Sequence, residues 1–185
     1  MNETLRIIAK RYSCRAFTDQ APTDSQLTTV AEAAAAAPSG VNRQPWRVIV
    51  VRDRGLMAEL EAEAMAVLSA QEDRATYDRM MQRGGKLFYN APAMMVLPLD
   101  GAAGGSKLDC GILCQTAVLA AESLGLNTLI CGLAGLAFAG DKAEYFKERL
   151  GFPQGYEFGI AILLGHSAAD GAPHQPDASK ISYIG

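Results

Sequence analysis

Residues Lys107 to Leu124 form a run that is apolar on nearly every helical face, with Gly125 placed to close it. Such a helix must be covered from several sides, so the rest of the chain has to supply layers around it. Val48 to Val51, Ala93 to Leu99, Asn127 to Cys131 and Glu157 to Leu164 read as strands. The first two, apolar without interruption, are expected to be buried rather than to have a wet face. Helical stretches lie between them, and 185 residues of which 49% are apolar suit one compact α/β domain spanning 1–185.

The remaining helices carry recognisable signals. Leu5, Ile8 and Ala9 share a face over residues 3 to 10. Thr23-Asp-Ser-Gln26 has capping-box spacing ahead of a helix from Leu27 to Ala37, whose alanines allow close packing. Asp53 is placed to cap a helix on which Met57, Leu60, Ala64 and Leu68 face inward and Glu59, Glu61 and Glu63 face water. A polar segment from Glu72 to Arg83 ends at Gly84-Gly85 and delivers Lys86 into the fold. The last apolar stretch, Lys180-Ile-Ser-Tyr-Ile184, reads as a short strand at the end of a loose tail, placed to complete a neighbour's sheet in an intertwined dimer.

Two polar motifs carry chemistry. Arg11-Tyr12-Ser13-Cys14-Arg15 sets two arginines and a serine on one side of an extended backbone, an anion cradle built from charge-assisted donors. Ala37-Pro-Ser-Gly-Val-Asn-Arg-Gln-Pro-Trp46 joins a helix to a strand through two prolines and a glycine. Pro38 stops the helix, Gly40 permits unusual backbone angles and Pro45 pushes Gln44 toward an extended shape, so Ser39, Asn42 and Gln44 are expected on a rigid ledge.

Several classes are disfavoured. A net charge of -3 lacks the basic surface of a nucleic-acid binder. The start is neither basic nor apolar enough for a signal peptide, and no apolar run is long enough to span a bilayer, so a cytoplasmic protein is expected. Four cysteines without a Cys-x-x-Cys pair, and two histidines, offer no zinc spacing. No G-x-G-x-x-G, P-loop or G-x-S-x-G motif is present.

Those motifs, with Ala91-Pro92, Leu124 to Gly132 and Leu164-Gly-His166, resemble the nitroreductase family of FMN-dependent oxidoreductases. The resemblance implies an α+β fold with a mixed central sheet flanked by helices, a C-terminal tail and strand extending onto the partner, and a homodimer with FMN at the interface. It further implies that Arg11 holds the phosphate, with Tyr12 beside it, Ser13 the phosphate or ribityl chain, and Arg15 the pyrimidine edge. Pro38, Ser39, Gly40, Asn42 and Gln44 would reach FMN from the other subunit. Lys86 matches the family's mid-chain basic residue, and Ile130, Cys131 and Gly132 would line the ring near N5 through backbone groups. Where relatives commonly carry a basic phosphate anchor in the tail this chain has His174, with Lys180 as the other candidate.

Hydride transfer onto a flavin builds negative charge near N1 and C2=O, which a cation such as Arg15 or Lys86 stabilises. With no separate dinucleotide fold, NADH or NADPH has to visit the same cleft as the oxidant, a ping-pong scheme ending on a nitroaromatic, quinone or similar small molecule. The alternative is a protein that stores or senses FMN without fast turnover. Cys131 is a candidate redox thiol, set against ordinary buried packing.

Overall fold

In the computed structural model, which describes residues 1–185, the strands are β1 (Ile49–Val51), β2 (Ala93–Asp100), β3 (Asn127–Cys131) and β4 (Tyr156–Gly165). They hydrogen-bond in the order β1-β2-β4-β3, each neighbouring pair antiparallel. The helices are α1 (Glu3–Lys10), α2 (Asp24–Ala35), α3 (Arg54–Ser69), α4 (Ala75–Gln82), α5 (Ser106–Ser123) and α6 (Ala143–Arg149). The fold is α+β. The parallel component of the expected mixed sheet comes down to one bridge, Ser13 to Thr128, because only the N-terminal arm runs alongside β3 in the same direction.

Local signals act as their chemistry dictates. The Thr23 hydroxyl accepts from the Gln26 N–H while the Gln26 side chain accepts from the Thr23 N–H, closing the capping box. Asp53 accepts from the Leu56 N–H at the start of α3. Gly125 takes a φ of 74° after α5, a left-handed position suited to glycine.

β2 along nearly its whole length and β4 from Ala161 to Gly165 are buried on both faces, which explains their unbroken apolar runs there. Met94, Val96, Ala161 and Leu163 enter the core shared with α3, whereas Met95, Leu97, Ile162 and Leu164 enter the one shared with α2 and α5. The side chains alternate along each strand, so one sheet feeds two cores.

β1 does not follow suit. As an edge strand it buries Val51 but leaves Val50 36% exposed, so the expectation of a strand without a wet face fails there. α5 is likewise not wrapped all round: Leu108 is 72% exposed and Ile112 36%. Glu61 and Glu63 turn out to be sheltered, because neighbouring segments cover that side of α3 and provide partners. Glu61 accepts from the Phe88 N–H at 2.6 Å and faces Lys86 Nζ at 3.7 Å, while Glu63 pairs with Lys142 at 3.0 Å. The terminal strand does not form within the chain; Ala178–Lys180 make a 3-10 turn, and Ile181, Tyr183 and Ile184 stand exposed with no strand to join.

Between Leu97 and Pro98 the β2–β4 register shifts, leaving Gly159 as the extra residue on β4. A Cβ at this position would lie 2.5 Å from the Leu97 carbonyl oxygen and 2.7 Å from the Leu99 side chain. Gly159→Ala is expected to cost about 2 kcal/mol, from overpacking against backbone, read as a lower Tm.

All four cysteines are free and buried. Burial pushes the thiols of Cys110 and Cys131 up to about 11 and that of Cys114 up to about 12, the last also raised by Cys110, against an ordinary value of 9.0. Above the ordinary value the unfolded chain releases these protons more readily than the folded one, so ionisation favours unfolding. Their contribution to stability is complete below pH 9 and is lost as pH rises toward 11 and 12. Denaturant midpoints measured across this range should fall, and Cys114→Ala should flatten the decline.

Candidate functional site

The N-terminal arm after α1 is pinned along its length. The Cys14 N–H donates to the Thr128 carbonyl at 2.9 Å, the Thr18 N–H to His166 at 2.9 Å, and the Ala168 N–H to Ala16 at 2.9 Å. Cys14 and Phe17 are buried, so Ser13 and Arg15 are left on the solvent side and Arg11 half-covered. The tail returns to this arm: a Cβ at Gly171 would overlap the Tyr12 ring, so the backbone passes directly across it. Glycine there permits the close approach.

Arg15 reaches a cleft of about 170 Å³ whose wall is the end of β3 and the turn after it, Leu129 to Leu133. Ile130, Cys131 and Gly132 therefore line the same cleft as Arg15. Gly132 is exposed, and a Cβ on it would find Ile160 Cδ1 at 3.8 Å, so the turn is open rather than jammed. The opposite wall belongs to α4 and its exit, with Thr76, Arg79, Met80, Arg83 and Tyr89. Ile130 also lines a second, more apolar cleft of about 410 Å³ between β4 and α5, together with Cys110, Gly111, Phe158 and Ile160. The two clefts share that wall.

Cys131 is no poised nucleophile. It is 5% exposed and its thiol is raised to about 11 by burial, with the backbone amides of Ala134 and Leu133 offsetting part of the effect. The protonated thiol packs in the core.

The ledge departs from expectation in detail while remaining rigid. Gly40 is not the residue with unusual angles; Val41, Asn42 and Gln44 are, with φ of 47°, 54° and 49°. Gln44 is thus left-handed instead of extended, because its N–H donates to the Ser39 hydroxyl at 2.8 Å and its side-chain amide to Asn42 Oδ1 at 2.9 Å. Those bonds curl the loop tightly enough to override the preference that Pro45 imposes. The Gly40 N–H donates at 3.1 Å to Asp109, a buried carboxylate in the first turn of α5. Pro38, Ser39, Gly40, Asn42 and Gln44 line neither cleft reached by Ile130.

Lys86 is displaced from the cleft. It lies in a separate pocket with Phe17, Arg54 and Glu61, and its partner is that glutamate. Arg79 and Arg83 of the α4 segment line the cleft with Arg15. The family resemblance points to Lys86; the sequence signal for the two arginines is their separation by one helical turn. His174 and Lys180 are exposed on the tail and share neither cleft.

With this geometry in hand, the comparisons agree on a class. The nitroreductase family model matches residues 8–166, and the chain belongs to the nitroreductase family. In structure it is similar to a nitroreductase with bound FMN from Desulfitobacterium hafniense DCB-2, with 56% identity, complete coverage of both chains and a TM-score of 0.98. In sequence it is 30% identical to the FMN reductase [NAD(P)H] of Bacillus subtilis (strain 168), over 91% of this chain and 67% of that one. It is 32% identical to the NADPH-flavin oxidoreductase of Vibrio harveyi, over 90% of this chain and 66% of that one.

Asp109 is the anchor of the ledge. Asp109→Ala should raise hydrogen–deuterium exchange across residues 40 to 44 and lower stability by about 1 kcal/mol, since the Gly40 N–H is exposed enough to find water in exchange.

Proposed function

We propose that this chain is an FMN-dependent oxidoreductase that passes hydride from NADH or NADPH to a nitroaromatic, quinone or related electron-poor small molecule in a ping-pong cycle. The observation that carries the reading is the meeting of Arg15 with the open Ile130–Gly132 turn at a partly apolar cleft. A flavin has matching parts: a polar pyrimidine edge that accepts charge, and a flat apolar body. FMN, when bound, supplies the ring that accepts and then donates hydride.

The chain's own residues would do the rest. Arg15, in no ion pair, has its charge free to favour negative charge at the pyrimidine edge; at about 4 Å that attraction is roughly 4 kcal/mol at intermediate dielectric. Arg11, Tyr12 and Ser13 would hold the phosphate end, and the backbone at Cys131 and Gly132 would orient the ring. The cysteine thiol has no part. Its protonated, buried state is the ordinary one for packing.

A second copy of the chain would bring the ledge. Within one chain Ser39, Asn42 and Gln44 lie outside the cleft lined by Arg15, which supports their acting on a partner's flavin. The bare stripe of α5, with Leu108 at 72% exposure, and a tail with Ile184 at 98% are surfaces that a homodimer would cover. In this reading the tail, including His174 and Lys180, lies across the partner. No helix is long and apolar enough to cross a membrane.

Purified protein should show a flavin absorption band or acquire one with added FMN, and anaerobic NADH or NADPH should bleach it. Arg11→Ala should weaken FMN binding about tenfold or more, as expected on losing a charge-assisted contact to phosphate. Protein that stays colourless with excess FMN, or a monomer by light scattering that nonetheless turns over, would remove the reading.

A further inference from the structure

The α4 side of the cleft has features that cradling a flavin does not require. Thr76, Arg79, Met80 and Arg83 share one helical face and line the same cavity as Arg15. No aspartate or glutamate lines that cavity, and none of these three arginines takes part in any ion pair of the structure. Arg79 and Arg83 stand four residues apart, a spacing at which like charges repel on a helix. The lone acid within α4, Asp78, adjoins Arg79 in sequence and therefore points to another side. Cationic pairs of this kind are relieved when an anion sits between them.

Beneath the guanidinium groups the walls are apolar: Leu87, Leu129, Ile130 and Leu133. We propose that this cleft selects an electron acceptor that is a small aromatic carboxylate, with Arg79 and Arg83 on its α4 side gripping the carboxylate while the acceptor's ring stacks on the flavin that the Ile130 turn would hold. The inference rests on the oxidoreductase reading above and adds the acceptor's class. Arg79 and Arg83 are specificity residues, separate from the arm assigned to FMN.

The probes are para-nitrobenzoate and its neutral isostere para-nitrobenzamide, titrated calorimetrically into the FMN-loaded protein and then used as acceptors in steady-state assays. The wild type should bind the carboxylate about tenfold tighter than the amide, the scale of one charge-assisted contact, and added salt should shrink the gap. The double variant Arg79→Gln/Arg83→Gln should lose that preference, its KM for the carboxylate rising to that for the amide. Arg79→Lys/Arg83→Lys should restore part of the preference, which a merely structural role would not. FMN content and thermal melts of each variant are read in parallel, so failure to hold flavin, which refutes the oxidoreductase reading, is seen apart from failure to discriminate charge. Equal binding of the two probes, or a preference that survives in the glutamine variant, overturns the inference. So does a variant that loses discrimination between NADPH and NADH without any change toward the probes, since that would assign the arginines to the donor's 2′-phosphate.

Discussion

The structure depends on the way the arm from Ser13 to Thr18 is wedged between β3 and the segment that follows β4. Thr128, His166 and Ala16 supply the carbonyls, and three backbone hydrogen bonds of 2.9 Å close the joint. β3 is the last strand of the sheet, and a free edge there would be an open template for pairing. The arm satisfies part of that edge while burying Cys14 and Phe17, so its polar side faces out with the arginines already placed. Edge protection and the placing of the arm's arginines are one event.

The second organising fact is that a single sheet serves two cores. Alternate residues of β2 and β4 point to opposite faces, one covered by α3 and the turn after β3, the other by α2 and α5. Rigid packing on both sides holds Ile130 and Gly132 at a rim where two clefts meet. The bulge at Gly159 belongs to the same design, since it bends β4 beside the larger cleft.

Charge is distributed with equal consequence. Glu61 and Glu63, sheltered on α3, pair with Lys86 and Lys142. Asp109 takes hold of the Ser39–Gln44 loop and thereby couples α5 to the ledge. Arg15, Arg79 and Arg83 remain without acidic partners around one cavity. In the proposed dimer, the ledge of one chain and this cavity of the other would form one site.

Much of this was legible along the chain, because it depends on neighbours in sequence: the capping box at Thr23, the cap at Asp53, the stop at Gly125, the bounds of β3, and the pairing of two arginines with a serine around Tyr12 all follow from local geometry. What could not be read is which side chains meet across distance. Glu61 looked solvent-facing because helical spacing carries no knowledge of Lys86 and Phe88 coming over it. Gln44 looked extended because the influence of Pro45 is local, while its bond to Ser39 depends on the loop curling back. Arg83 and Lys86, three residues apart, line different pockets because the left-handed Gly84 and Gly85 turn the chain between them. The sequence by itself determined the elements, the family and the cationic arm, since each is set by short-range chemistry. Only tertiary packing decided the company those residues keep, because burial and charge pairing act between segments that are far apart in the chain.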